Sequence, residues 1–214
     1  MSKARPVPFS VLVPVKPTRI AKSRLAALGD RARRDLVAAF AADTVSAALD
    51  SRHVGCVLVV TDDHVLAATL RGLGAHVLPD ATTDDLNESL SQAAAEALRR
   101  WPERRLAALC ADLPSLDPAE LDAALEVAAG FPSAFVADAS GEGTTMVAAA
   151  SREEFAPRFG SGSCEAHAAQ GAHHIVEVDV PTLRRDVDTP HDLAQALELG
   201  VGAHTARAAR GLSL

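Results

Sequence analysis

The chain has 214 residues, 48% of them hydrophobic, enough for one sizeable core and slightly long for the commonest domain size. With 21 lysines and arginines against 28 aspartates and glutamates its formal charge is −7, and no long basic stretch offsets that acidity, which argues against a nucleic-acid surface but not against a small phosphorylated ligand. Three cysteines, Cys56, Cys110 and Cys164, without CxxC spacing argue against a disulfide framework and a zinc knuckle, and no apolar run reaches the roughly 20 residues of a membrane span.

The opening MSKARPVPFS lacks the apolar stretch of a signal peptide. The expectation is a soluble protein of the reducing cytoplasm, one domain over residues 1–214, with a core of about 9–202 and a tail of 203–214, and no membrane or nucleic-acid partner.

The first apolar run, Phe9 to Val15, is rich in β-branched residues and predicts a buried strand. The segment after it carries Lys16, Arg19, Lys22 and Arg24, which suits a polyphosphate or forms a solvated charge cluster. It has no GxxxxGK[ST], and the nearest approach to GxGxxG, RGLGAH, follows a helical segment, so ATPase and dinucleotide readings lose ground. A helix is predicted over Arg33 to Leu49, a strand over Cys56 to Val60, a helix over Asp63 to Leu70 and a strand over His76 to Pro79. Next come a helix over Asn87 to Arg100 and a strand over Leu106 to Cys110. This alternation predicts an α/β fold, a mostly parallel sheet with helices on both faces, whose ligands bind beyond the carboxyl ends of the strands.

At that edge, directly after the fourth strand, CADLPSLDP places Asp112; it forms an Asx turn or serves a ligand. Asp117 reads as the N-cap of a helix over Pro118 to Ala129. Strands follow at Ala134 to Asp138, Thr144 to Ala150 and His174 to Val180; His173 and His174 lack ligand-like spacing to Cys or Glu, so no zinc site is expected. In RRDVDTPHD, Asp186 and Asp188 are two residues apart and share one face of an extended segment. Two like charges there are explained either by capping and solvation of the helix beginning at Thr189-Pro190, or by a bound cation. With Asp112 they are the oxygen ligands that Mg2+ requires beside a nucleotide's phosphates. The tail AHTARAARGLSL is a terminal helix or frays.

Taken in order, KPTRIAKSRL, ADLPSLD, GEGTTMV, RFGSGS and DVDTP resemble the 2-phospho-L-lactate or phosphoenolpyruvate guanylyltransferases of coenzyme F420 biosynthesis, from about Val11 to Gly202. The resemblance implies a Rossmann-like nucleotidyltransferase fold, GTP as substrate and Mg2+, two ions in all. It implies a catalytic metal set of Asp112, Asp186 and Asp188, with Lys22 catalytic as well. Lys16, Lys22 and Arg24 then steady the triphosphate, and Asn87 of DDLNESL lies near the purine or caps its helix. Thr144, Gly160 and Ser163 fall at the phosphoenolpyruvate-binding positions, where turn and cap hydrogen bonding is the plainer role of each. Arg158 and His167 are anionic-substrate contacts or a surface arginine and a helix histidine.

The reaction so implied is in-line attack of a phosphate oxygen of the small acid on the α-phosphorus of GTP, with pyrophosphate leaving; positioning and charge neutralisation carry it. The next enzyme of the pathway is a partner for product transfer. The acceptor is phosphoenolpyruvate, 2-phospholactate or a phosphoglycerate, with phosphoenolpyruvate favoured. The alternatives are a molybdopterin guanylyltransferase or cytidylyltransferase, and a catalytically silent nucleotide-binding regulatory module.

Overall fold

The computed structural model describes residues 7–16, 22–80 and 85–212. Strands β1 (Phe9–Pro14), β2 (Val54–Val60), β3 (His76–Leu78), β4 (Arg105–Leu109), β5 (Ser133–Ala137), β6 (Thr144–Ala149) and β7 (His173–His174) form one sheet in the order β3-β2-β1-β4-β6-β5-β7. Pairings β1–β2, β1–β4, β2–β3 and β5–β7 are parallel, whereas β6 runs antiparallel to both β4 and β5. The expectation of a mostly parallel sheet is met, with one reversed strand. That reversal follows from the short turn joining β5 to β6, too short for a crossover.

The helices are α1 (Asp30–Asp50), α2 (His64–Leu73), α3 (Leu86–Arg100), α4 (Pro118–Ala128), α5 (Ser163–Ala169), α6 (Pro190–Leu199) and α7 (Ala203–Ala208), with a 3-10 turn at Ser23–Leu28. Alternate side chains of each strand leave opposite faces, so the apolar runs feed two layers. Val11, Val13, Val57 and Val59 pack with Val45 of α1, Leu66 of α2 and Leu125 of α4. Leu12, Leu58 and Leu106 pack on the other face with Leu90 and Ala94 of α3 and with Phe155. Helix α1 is buried nearly all round, which its alanine-rich sequence permits because small side chains allow close approach. Among the described residues no helix is long and apolar enough to cross a membrane.

A third, smaller cluster positions the site. Leu25 of the 3-10 turn, Leu36 and Phe40 of α1, Val187, and Leu193 and Ala196 of α6 are all buried together. The segment after β1 is thereby fastened to the segment before α6. The tail begins as helix α7: the buried Asp43 carboxylate accepts from the backbone N–H groups of His204 (3.0 Å) and Thr205 (2.7 Å) at its start. Gly202 is required there, since a Cβ would meet the Asp43 carboxylate at 2.3 Å.

The run predicted as a strand from His174 to Val180 pairs only at His173–His174. Glu177 takes the backbone N–H of Val176 (2.9 Å) and the His173 ring (2.7 Å) for itself, and such local side-chain bonds compete with a ladder. Helix α5, for which the sequence reading set no bounds, begins where Gly160 (φ 134) and Gly162 (φ 68) adopt backbone conformations that favour glycine.

The turn after β4 is held from α1: the buried Thr44 hydroxyl donates to the Ala111 carbonyl (3.3 Å) and accepts from the Leu113 N–H (3.0 Å), on either side of Asp112. Thr44→Val keeps the shape and strands the buried Leu113 N–H, so it should lower unfolding free energy by about 1–3 kcal/mol, read as a shift of the urea midpoint at constant slope.

Candidate active site

The functional side chains stand at one edge of the sheet, beyond the carboxyl ends of β1, β4 and β5 and at the start of the reversed β6. From β1 the chain steps to β2 and β3 on one side, while β4 lies on the other; the cleft between the β1 and β4 loops is where open α/β sheets bind ligands. Lys22 comes from the first loop and Asp112 from the second.

Lys22 is the one described non-glycine residue at positive φ (φ 54, ψ 53). A side-chain-bearing residue persists in that region only when its surroundings over-determine it. Here they do. Leu25 anchors the following turn in the third cluster, and the Lys22 ammonium lies between the carboxylates of Asp112 and Asp188, ion-paired and hydrogen-bonded to both. Burial alone would lower the Lys22 pKa, but the two carboxylates outweigh it and raise the group above its usual range, so the ammonium stays charged.

Asp186 lies on the same side of the extended segment, with Val187 turned into the core between the two acids and its N–H donating to the Asp112 carbonyl (3.1 Å). Burial, and then the charges of Asp112, Asp188 and Asp138 against the counter-effect of Lys22, push the Asp186 carboxyl up to about 7. Helix capping does not account for the doublet. The N-cap of α6 is Thr189, in a capping box with Asp192, whose carboxylate also accepts the Asp188 N–H (3.1 Å).

The donor chemistry fits a hard divalent cation: three carboxylates converge, and Asp112 Oδ1 is buried without a hydrogen-bond partner. Among the described residues, however, no three acids or imidazoles stand close enough to cage an ion as they are arranged. The Lys22 ammonium occupies that place. Cys110, beside this cluster, is no nucleophile: burial and the neighbouring aspartates push its thiol well up, away from thiolate.

The remaining expected nucleotide contacts divide. Arg24 Nη1 is 3.9 Å from Asp188 Oδ2, with its side chain 74% exposed and able to turn to a ligand. Lys16 Nζ is buried without a hydrogen-bond partner among the described residues, 4.0 Å from Asp80 Oδ2. Arg19 lies outside the described residues. The Asn87 amide donates to the Phe159 carbonyl (3.1 Å) and accepts from the Phe159 N–H (2.8 Å), so both ends of the side chain hold the RFGSGS loop. It does not cap α3, a role taken by Asp85.

The expected acceptor positions come together. Thr144, the first residue of β6, and Ser163, the first of α5, are both buried, and the Ser163 N–H donates to the Gly160 carbonyl (3.2 Å). His167 is a helix histidine, buried in α5; its Nδ1 lies 3.0 Å from Thr144 Oγ1, and its Nε2 accepts from the backbone N–H of Arg158 (2.9 Å). Sequence reasoning passed over Asp138, whose carboxylate accepts from Ser140 Oγ (2.8 Å) and Glu142 N (3.1 Å) and whose charge bears on Asp186. The signal was present: AFVAD repeats the pattern of LAALCAD, an aspartate just past an apolar strand.

A sheet of this order, with a cationic loop after β1 facing carboxylates from the β4 loop and the segment before α6, defines a nucleotidyltransferase. The fold is shared with 4-diphosphocytidyl-2C-methyl-D-erythritol synthase, at a TM-score of 0.62 and 12% identity over 90% of this chain and 99% of that one. A family model described as guanylyl transferase CofC like matches residues 9–214. The chain is 50% identical over 198 residues to a phosphoenolpyruvate guanylyltransferase of Thermomonospora curvata, spanning 92% of this chain and 87% of that protein. It is 46% identical over 209 residues to one of Streptomyces scabiei, spanning 95% and 97%. The chain belongs to the CofC-like guanylyl transferase family, and it is a nucleotidyltransferase enzyme, as the five ordered motifs implied.

Because Thr189 and Asp192 form the α6 cap, Asp188→Asn should leave the helix start intact and lower unfolding free energy by no more than about 1 kcal/mol, the worth of its partly exposed ion pair with Lys22. A larger loss of stability would return Asp188 to a structural role.

Proposed function

We propose that the protein transfers GMP from GTP to phosphoenolpyruvate, releasing pyrophosphate, in the cytoplasmic synthesis of coenzyme F420. The observation that carries this reading is the presence, on one sheet edge, of the Lys22–Asp112–Asp188 cluster and of Thr144, Gly160 and Ser163. One end of the cleft demands a cation and its polyphosphate. The other offers hydroxyls and a backbone free of Cβ. The 46% and 50% identical relatives, named phosphoenolpyruvate guanylyltransferases, support the acceptor.

In this reading Lys22 gives up its carboxylates to the triphosphate, joined by Lys16 and, through its planar fork, by Arg24. Asp112, Asp186 and Asp188 would then hold Mg2+, which when bound supplies charge neutralisation at the phosphates. The phosphate of the acid is already ionised, so its oxygen attacks the α-phosphorus without a protein base, the bond to the bridging oxygen breaks, and that oxygen leaves with pyrophosphate. The chain's own contribution is to set the two anions in line and to screen their repulsion. The chain acts as one catalytic domain with a core of about residues 9–202, and the product passes to the next enzyme of the pathway.

Mass spectrometry of reactions with GTP and, in parallel, phosphoenolpyruvate, 2-phospholactate and 3-phosphoglycerate tests the reading, with the next pathway enzyme present to draw off product. Guanylylated enolpyruvate and pyrophosphate are expected; product from another acid alone would contradict it. Ser163→Ala should raise KM for phosphoenolpyruvate about tenfold, the equivalent of roughly 1.4 kcal/mol, and leave KM for GTP nearly unchanged. Gly160→Val should do more: a β-branched residue resists the glycine's φ of 134, and its side chain would enter space that no protein atom within 4 Å fills. A shift in the GTP constant with the acid constant spared would invert the assignment of the two subsites.

A further inference from the structure

The buried ring of His167 has both nitrogens engaged. Its Nε2 lies 2.9 Å from the backbone nitrogen of Arg158, which can only donate. Nε2 is therefore the unprotonated nitrogen, and a neutral ring must carry its hydrogen on Nδ1. Nδ1 lies 3.0 Å from Thr144 Oγ1 and also bonds the Ser163 carbonyl, so its one hydrogen is shared between two acceptors; toward a protonated Nδ1 the hydroxyl can only accept, and its own hydrogen remains to be donated elsewhere.

The surroundings keep the ring in that state. His167 is 1% exposed and packs beside the rings of Phe135 and Phe159, each centroid 5.7 Å away. Arg158 is the charged side chain that bears on it. Burial, with Arg158 adding to it against a bond to the Ser163 carbonyl, holds the imidazole below the usual histidine range. A protonated ring would turn an Nε2–H against the Arg158 N–H, and the RFGSGS loop would lose a bond that fixes its start.

We propose that His167 is a positioning residue for the acceptor: by holding its hydrogen on Nδ1 it fixes the Thr144 hydroxyl as a hydrogen-bond donor for the anionic acid, while its Nε2 ties down the loop that carries Gly160 and Ser163. The inference rests on the reading that Thr144, Gly160 and Ser163 hold the acid. It assigns a tautomer and a direction of donation, which that reading leaves open. A hydroxyl locked as an acceptor would repel a carboxylate or phosphate; one locked as a donor binds it.

Long-range 1H–15N correlation spectra of the histidine-labelled, ligand-free protein test the inference directly. His167 should appear as the neutral Nδ1–H tautomer at about pH 7 and titrate below the usual histidine range. Kinetics give the second readout. Thr144→Val and His167→Phe, the latter keeping an aromatic ring between Phe135 and Phe159, should each raise KM for phosphoenolpyruvate about tenfold, with a much smaller effect on kcat and on KM for GTP. The double variant should be little worse than His167→Phe alone, because the Thr144 hydroxyl acts through the ring that directs it. An Nε2–H ring, a ring that titrates normally, or additive effects in the double variant would overturn the inference and spare the subsite if Thr144→Val still weakens the acid. A wild-type KM in Thr144→Val would remove the subsite itself, and the inference with it.

Discussion

Like charge crowded at one end of a sheet is the constraint on which the site depends. Unit charges about 4 Å apart repel by roughly 4 kcal/mol near a protein surface, so the carboxylates of Asp112 and Asp188 cannot stand together without a cation between them. In the free protein that cation is Lys22. The arrangement needs two segments far apart in sequence to meet, and the cluster of Leu25, Phe40, Val187 and Leu193 fastens them together. Val187 turned inward is what presents its two acidic neighbours to the cleft. Lys22 in turn holds a left-handed backbone, a conformation that the core anchor behind it and the paired acids in front of it sustain.

The cleft divides where the sheet changes direction. On the β1 side of β4 the strands are parallel and their loops bring cations and carboxylates; on the other side the reversed β6 brings the amino end of a strand, Thr144, to the same edge. A parallel strand would have offered its carboxyl end there. The reversal sets a buried hydroxyl beside the glycine-rich loop, and Asn87, reaching across from α3, holds that loop by both of its backbone hydrogen-bonding groups at Phe159. In the proposed reaction a substrate phosphate and a nucleotide triphosphate would approach one carboxylate cluster from two differently built walls.

Much of this was legible in the sequence, for identifiable reasons. Strands β1, β2, β4, β5 and β6 are buried on both faces and so read as short continuous apolar runs, and Asp112 stands out because a charge abruptly follows one of them. The i, i+2 spacing of Asp186 and Asp188 fixed a shared face before any neighbour was known. What was not legible depends on contacts distant in sequence. Nothing local in DDLNESL says that Asn87 will meet Phe159, and nothing in SCEAHAA says that His167 will be enclosed by Phe135 and Phe159. Glu177 defeated a strand by bonding its own neighbours, an outcome that an alternating pattern conceals. Asp138 and the β5–β6 hairpin, by contrast, were readable: an aspartate past an apolar strand, then a short turn and a second strand.

The central claim is that Lys22 holds, in the free protein, the place a divalent cation takes in the loaded one. Mn2+ binding to the nucleotide-free chain, measured by electron paramagnetic resonance as the fraction of free ion, tests it without reference to turnover. Lys22→Ala should bind Mn2+ at least about tenfold more tightly than the wild type, a gain of roughly 1.4 kcal/mol, and adding Asp112→Asn should abolish the gain. Mn2+ binding no tighter in Lys22→Ala than in the wild type would contradict it.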